Sequence, residues 1–259
     1  MDSPEVRTQR NKQQSDQDSI LVKARGFRKS FGDVDVLRDV NFDLREGENM
    51  VVLGKSGTGK SVLIKSMVGL HMPDAGELKV LDYNLTNIND EDLLKLRRKV
   101  GYLFQGGALY DSMTVRDNMR FPLERQVEKK SEEEIEELVE EGLKSVGLID
   151  AIDKLPAELS GGMQKRIALA RTLILRPQIM LYDEPTTGLD PVTSKEISHL
   201  LMDMRDRYNI TSIIVTHDIA SAEMTADRIH ILRDGNLDTQ GTYDELANSD
   251  DEWVRAFFQ

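Results

Sequence analysis

The chain contains no cysteine, which rules out disulfides and thiolate metal sites and leaves its compartment open. It lacks any run approaching the ~20 apolar residues that a spanning helix requires. Its N-terminus lacks the apolar stretch of a secretory signal. Positive charge is also short: 46 acidic residues face 34 basic ones, a net charge of −12 at pH 7. That balance opposes non-specific binding to nucleic acid or to an anionic membrane surface. If the protein works at a membrane, something else must hold it there. The 259 residues, 39% of them hydrophobic, suffice for one large domain or a domain with a smaller lobe.

Residues 1–19 are polar, rich in Gln, Asp and Ser, and predict a disordered tail. From Ile20, ILVKARGFRKSF, VLRDVNFDL and NMVVL read as strands divided by glycine-marked turns. MPDAGE reads as a turn, LKVLDY as a strand, Asp90–Arg98 as a helix and VGYLF as a strand. Helical texture follows from Thr114 to Gly147, where seven glutamates between Glu132 and Glu141 interleave with Ile135, Leu138, Val139 and Leu143. Such a charge run fits a solvated helix face or a site for a basic partner. Beyond Pro156 come a helix over Met163–Leu175, the strand IMLYD, a helix over Val192–Tyr208 and the strand TSIIVT. The expected fold is α/β: a mainly parallel, doubly wound sheet, a small antiparallel β layer and a helical insertion near residues 105–170. One domain over 20–247 and a C-terminal helix over 248–259 complete the expectation.

The stretch VVLGKSGTGKS, residues 51–61, carries the clearest chemistry. An apolar strand, a glycine-rich loop and a helical rhythm match the phosphate-loop pattern G-x-x-x-x-G-K-[ST] at Gly54, Gly59, Lys60 and Ser61. Glycines let backbone N–H groups turn inward around phosphate oxygens at the positive end of a helix. The candidate nucleotide-binding segment is therefore Gly54, Lys55, Ser56, Gly57, Thr58, Gly59, Lys60, Ser61 and Val62. Lys60 is placed to reach the β- and γ-phosphates, and the Ser61 hydroxyl to ligate Mg²⁺.

IMLYDEP, residues 179–185, is an apolar strand ending in two carboxylates. Asp183 suits the Mg²⁺ shell opposite Ser61, and Glu184, one residue on and pointing elsewhere, suits polarising a water as general base. LSGGMQKR, residues 159–166, places Ser160, Gly161 and Gly162 just before a helix. Taken alone that is a serine N-cap with flexible glycines. Beside a phosphate loop it is a second anion cradle, and a single nucleotide needs only one.

Phosphate loop, glutamine after a strand, LSGGMQ, IMLYDEP, GLDP and a late histidine, in that order, resemble the nucleotide-binding subunit of an ABC transporter over about residues 20–247. The resemblance implies a P-loop ABC-ATPase fold, ATP and Mg²⁺ as cofactors, and a head-to-tail dimer of two copies. Each ATP would lie between the phosphate loop of one copy and Ser160, Gly161, Gly162 and Gln164 of the other. It implies that Phe31 stacks on adenine, where Tyr is commoner, and that Gln105 senses the γ-phosphate and Mg²⁺. Gly188, Leu189 and Asp190 would cross the dimer interface, and His217 would contact the γ-phosphate and orient the water. Lys55 and Val62 depart from the family pattern without removing a phosphate ligand. His71, His199 and His230 have no such context and read as incidental.

After Gln105, Ala108, Leu109, Tyr110, Met113, Met119 and Phe121 put apolar surface on a loop and short helix. In a transporter subunit this region cups a helix of the membrane partner. FQGGALYDSMTVRDNMRFPL resembles the ATPases that accompany MCE proteins, which serve bacterial phospholipid traffic. The ending DEWVRAFF resembles their C-terminal helix, though a core-packing stripe explains Trp253, Phe257 and Phe258 equally well. The expected activity is ATP hydrolysis driving lipid movement through a separate transmembrane permease, with an MCE-type lipid-binding protein as further partner and no nucleic acid. The expected location is cytoplasmic, peripheral on the inner face of the membrane. An importer for a polar solute and a non-transport regulator of a cell-envelope complex are the alternatives.

Overall fold

Alternating polarity makes the first strands. In the computed structural model, which describes residues 19–126 and 129–258, β1 (Ile20–Phe31) and β2 (Val34–Arg45) pair antiparallel across the turn at Gly32. Their inward residues Val22, Ala24, Phe27, Val40, Phe42 and Leu44 are buried, as a sheet with one solvated face requires. β4 (Ala75–Val80) pairs with β1 on the other side, and β5 (Tyr83–Asn84) forms the edge. The expected strand LKVLDY is thus split. Leu81 turns the chain with φ +52°, and the strand begins earlier, at Ala75. Except for Ser19, which accepts a backbone hydrogen bond from Glu46, the expected disordered tail lies outside the described residues.

The other half of the sheet reads as unbroken apolar runs. β3 (Asn49–Leu53), β7 (Ile179–Asp183) and β8 (Thr211–Thr216) are buried at every position, because helices cover both faces of a parallel sheet. With β6 (Val100–Leu103), β9 (Arg228–Arg233) and β10 (Asn236–Gly241) the order is β5-β4-β1-β2-β10-β9-β3-β8-β7-β6. The antiparallel strands lie beside the parallel ones, as expected, and a single parallel pairing, Asn236 with Asp39, joins β10 to β2 so that both belong to one sheet.

Nine α-helices occur among the described residues. α1 (Lys60–Met67) and α2 (Asp90–Lys99) pack beside the early strands. α3 (Val115–Glu124) and α4 (Glu132–Ser145) start at capping boxes, Thr114 with Asp117 and Ser131 with Glu134. α4 buries Ile135, Val139 and Leu143, while most of its glutamates stay in solvent and Glu132 pairs with Arg120 at 2.6 Å. Its first-turn carboxylates also complement the helix dipole. α5 (Gly161–Leu173) begins two residues earlier than expected because Ser160 is its N-cap. It gives Ile167 and Ala170 to the α3–α4 core and Ala168, Leu169 and Leu173 to the core under the parallel sheet. α6 (Pro191–Tyr208), α7 (Ile219–Thr225), α8 (Tyr243–Ala247) and α9 (Glu252–Phe257) complete the chain. The single C-terminal helix expected over 248–259 is shorter. Trp253, Phe257 and Phe258 pack against the parallel-sheet core.

β3, β8, β7 and β6 are adjacent and mutually parallel. Their C-terminal ends therefore share one edge, where α/β sheets place ligands.

Candidate active site

Four loops meet at that edge. The first follows Leu53, where Gly57 and Gly59 take φ of +81° and +103°, a left-handed backbone that side chains resist. A Cβ on Gly59 would lie 2.7 Å from Val36 Cγ1, and one on Gly54 2.8 Å from Thr58 Oγ1. Thr58 Oγ1 donates to the Lys55 carbonyl at 2.9 Å, tightening the loop from within. α1 begins directly after Gly59, so its free N–H groups face the loop.

The remaining loops deliver Glu184 after β7, His217 after β8 and Gln105 just past β6. Lys60 is 5% exposed; its Nζ donates to the carbonyls of Gly54 (2.8 Å) and Lys55 (3.2 Å) and pairs with Glu184 Oε1 at 3.1 Å. The other carboxylate oxygen of Glu184 accepts from His217 Nδ1 at 2.7 Å and Thr187 Oγ1 at 3.1 Å. Glu184 itself has φ +50°, a strained backbone for a residue with a side chain. That geometry turns its carboxylate away from Asp183 and toward Lys60 and His217. Asp183 accepts from Ser61 Oγ at 2.6 Å and from the Tyr102 hydroxyl at 2.9 Å. Burial, then the Asp183 charge, push the Tyr102 phenol above its ordinary pKa, so it remains a donor.

Ser56, Gly57, Gly59, Lys60, Ser61, Val62, Gln105, Glu184 and His217 line one open cleft of about 690 Å³, with Val36 and Thr187. A larger cavity of about 880 Å³ lies on the far side of Thr187 and His217, between α6 and α7, and includes neither the phosphate loop nor Asp183. The cationic Lys60, the loop N–H groups and Glu184 belong to the smaller one, which suits a polyphosphate. Among the described residues no group of three or more His, Cys, Asp or Glu could hold a metal by itself. Ser61 and Asp183 offer two hard oxygens side by side, the partial shell that Mg²⁺ takes when phosphates and water supply the rest.

Other expected site residues lie elsewhere. Ser160 accepts from the Met163 N–H at 3.3 Å, and Gln164 Nε2 donates to the Pro156 carbonyl at 2.9 Å. Neither they nor Gly161 and Gly162 line the cleft. Asp190 caps α6 through Val192 N, Thr193 N and Thr193 Oγ1. Those bonds, that from Thr193 Oγ1 first, hold its carboxyl below the usual range. Phe31 ends β1 at 43% exposure, edge-on to His71 with ring centroids 5.0 Å apart and under the Lys29 ammonium at 5.3 Å. His71 is therefore not incidental; it braces Phe31. Met119 is fully buried and Leu109 packs between two cores, so neither contributes to the open apolar face. Phe104, Ala108 and Tyr110 do. Tyr102, Thr187 and Lys165 carry no motif signal in the sequence that marks them, although Lys165 stands inside LSGGMQKR.

The ABC transporter family model matches residues 37–187. The chain is 42% identical over 238 residues to the probable ribonucleotide transport ATP-binding protein mkl of Mycobacterium leprae, covering 92% of this chain and 68% of that protein. It is 35% identical over 243 residues to the intermembrane phospholipid transport system ATP-binding protein MlaF of Haemophilus influenzae, covering 94% and 91%. Among solved structures it superposes on the ATP-binding cassette MJ0796, a dimer in a post-hydrolysis state bound to ADP and Pi. The TM-score is 0.78 at 33% identity, over 86% of this chain and 98% of that one. A strand-edge phosphate loop beside paired acidic residues and a histidine, in a chain so closely matched along its length, places this protein in the ABC transporter family as an ATP-binding, ATP-hydrolysing member.

Proposed function

We propose that the chain is the ATPase subunit of a transporter that moves lipid, phospholipid first among candidates, through a separate membrane-spanning permease. The convergence of Lys60, Glu184 and His217 on one cleft, beside Ser61 and Asp183, carries the hydrolytic reading. Lys60 engages the β- and γ-phosphates. Their oxygens compete with Glu184 for its ammonium and free that carboxylate for water. The water oxygen attacks the γ-phosphorus in line, its proton passes to Glu184, and the bond to the departing ADP oxygen breaks. His217 orients the carboxylate and the water. Mg²⁺, held by Ser61, Asp183 and the Gln105 side chain, would neutralise charge on the β- and γ-phosphates. Phe31, braced by His71, stacks on adenine.

The signature residues Ser160, Gly161, Gly162 and Gln164 serve the nucleotide of a second copy, with Asp190 at the shared interface. Support comes from their position outside the chain's own cleft and from the dimeric form of the MJ0796 cassette. Residues 20–247 form the ATPase domain, with a helical subdomain near 105–170 and residues 248–259 as a C-terminal appendage. No described helix is long and apolar enough to cross a membrane. Attachment to the inner membrane face then runs through the permease, at the face formed by Phe104, Ala108, Tyr110 and Phe121. An MCE-type lipid-binding protein completes the complex.

Identity is higher to mkl, which bears the name of a ribonucleotide transporter, than to MlaF, which bears that of a phospholipid system. The chain spans about two thirds of the mkl protein but nearly all of MlaF, and FQGGALYDSMTVRDNMRFPL favours lipid. A polar-solute importer is the second reading; the mkl name supports its solute class but not its direction. Glu184→Gln tests the chemistry: it retains ATP binding, loses at least about 100-fold in turnover and traps a closed dimer. Turnover near that of the wild type would remove Glu184 as the base. Purifying the complex and identifying a co-eluting phospholipid supports the cargo; ATPase stimulation by a nucleotide or other polar solute instead overturns it.

A further inference from the structure

One buried cation has no part in that hydrolytic scheme. Lys165, in the signature segment, is 8% exposed. Burial lowers its pKa, while the charges of Glu184 and Asp183 work against that shift. Among the described residues no carboxylate forms an ion pair with it. Its Nζ donates instead to the backbone carbonyl of Gln105 at 2.6 Å and, more weakly, to that of Glu184 at 3.4 Å. Withdrawing an ammonium from water onto carbonyls alone is costly, so the bonds it makes have to hold something in place.

What they hold is the cleft. Gln105 lies in the loop after β6 and Glu184 in the turn after β7, and both line the cleft. Lys165 belongs to neither loop. It projects from α5, whose N-cap is Ser160, and about 6 Å of helix rise separates it from Gly161. α5 is anchored in two hydrophobic cores at once, so its first turn and Lys165 move together as one rigid element.

We infer that Lys165 is a positioning residue that ties the signature segment to Gln105 and Glu184 of the same chain. Seating a second copy's nucleotide on Ser160–Gly162 thereby sets the geometry of this chain's own hydrolytic groups. The link is reciprocal across the dimer: each site, when filled, favours the competent arrangement of the other. This rests on the dimeric reading proposed above.

The test is ATP turnover against ATP concentration for the full chain as wild type, Lys165→Met, Lys165→Gln and Glu184→Gln, with backbone amide exchange. Lys165→Met is expected to lower kcat about tenfold with KM within about twofold. Its Hill coefficient falls from about 2 toward 1. Exchange at Gly107, whose N–H donates to the Phe104 carbonyl, quickens while that in α1 does not. Lys165→Gln, which keeps a donor, recovers part of kcat. Wild-type kcat and cooperativity in Lys165→Met would overturn the inference, as would losses in kcat and KM that merely follow a fall in the thermal midpoint. Should Lys165→Met fail to fold, Lys165→Gln decides: reduced cooperativity supports the link, and wild-type cooperativity with unchanged Gly107 exchange overturns it. Glu184→Gln separates the two levels. If it hydrolyses normally, the hydrolytic reading fails; if it is inactive while Lys165→Met behaves as wild type, only the Lys165 link fails.

Discussion

Two glycine-rich segments, each opening a helix, look alike as text and differ in the fold. In the phosphate loop the glycines answer this chain's own needs. Gly57 and Gly59 have positive φ, and a Cβ at Gly54 or Gly59 would collide with neighbours. In the signature, Gly162 must be small because Thr193 Cγ2 would sit 2.6 Å from its Cβ. Gly161 is under no such demand: its Cβ would meet only Leu189 Cδ2, at an ordinary 3.6 Å. Gln105, Glu184 and His217 line the cleft of the first segment, and no residue of the second reaches that cleft. A glycine that the fold can spare, at a capped helix start, suits the approach of another molecule. On the proposed dimeric reading, the first segment forms this chain's own half of a nucleotide site and the second serves the nucleotide of another copy.

Acidification would destabilise the sheet that carries the first segment. His230 lies in β9 opposite Val52 of β3, the strand that carries the phosphate loop. It is 1% exposed, and neither ring nitrogen has a partner among the described residues. Burial, then the nearby Arg228, depress its pKa from 6.5 to about 4. Between those values the unfolded chain binds the proton and the folded one does not, so stability is lost as pH falls through that window. The loss reaches roughly 3 kcal/mol. Chemical denaturation of wild type and His230→Leu between pH 4 and 7 checks it, and equal pH slopes would remove His230 as the cause.

Lys60→Ala comes next. It should weaken ATP affinity about 100-fold, measured by titration, because a buried cation aimed at the cleft is lost. Unaltered affinity would dissolve the contrast by showing that the first segment does not hold the phosphates. The smallest effect is the most discriminating. Gly161→Ala should leave the thermal midpoint and the ATP affinity of the isolated chain unchanged while turnover falls about tenfold. Full turnover in that variant would mean that nothing approaches Gly161, and the two segments would differ only in backbone shape.

Much of the site was legible because its parts are local. Gly54 to Ser61 contain their own loop, and Asp183 and Glu184 end their own strand, so spacing and residue type place them. Helix starts were harder. α5 was expected at Met163 because glycine reads as a breaker, yet Ser160 caps two glycines into the first turn. Met119 reads as surface in its own segment, yet α4 covers it at Gly142. Tyr102 on Asp183, Lys165 on Gln105 and His71 on Phe31 join residues far apart in sequence. Each looked ordinary in its own segment.

Residue order alone determined that a phosphate loop, two strand-end carboxylates and a signature occur in this chain, because backbone turns and N-caps depend on near neighbours. Only the tertiary structure decided that β3, β8, β7 and β6 lie side by side, bringing Lys60, Glu184, His217 and Gln105 to one cleft. It also left Gly161 outside that cleft. Strand order is a matter of how distant apolar faces share a core, and no local pattern encodes that pairing.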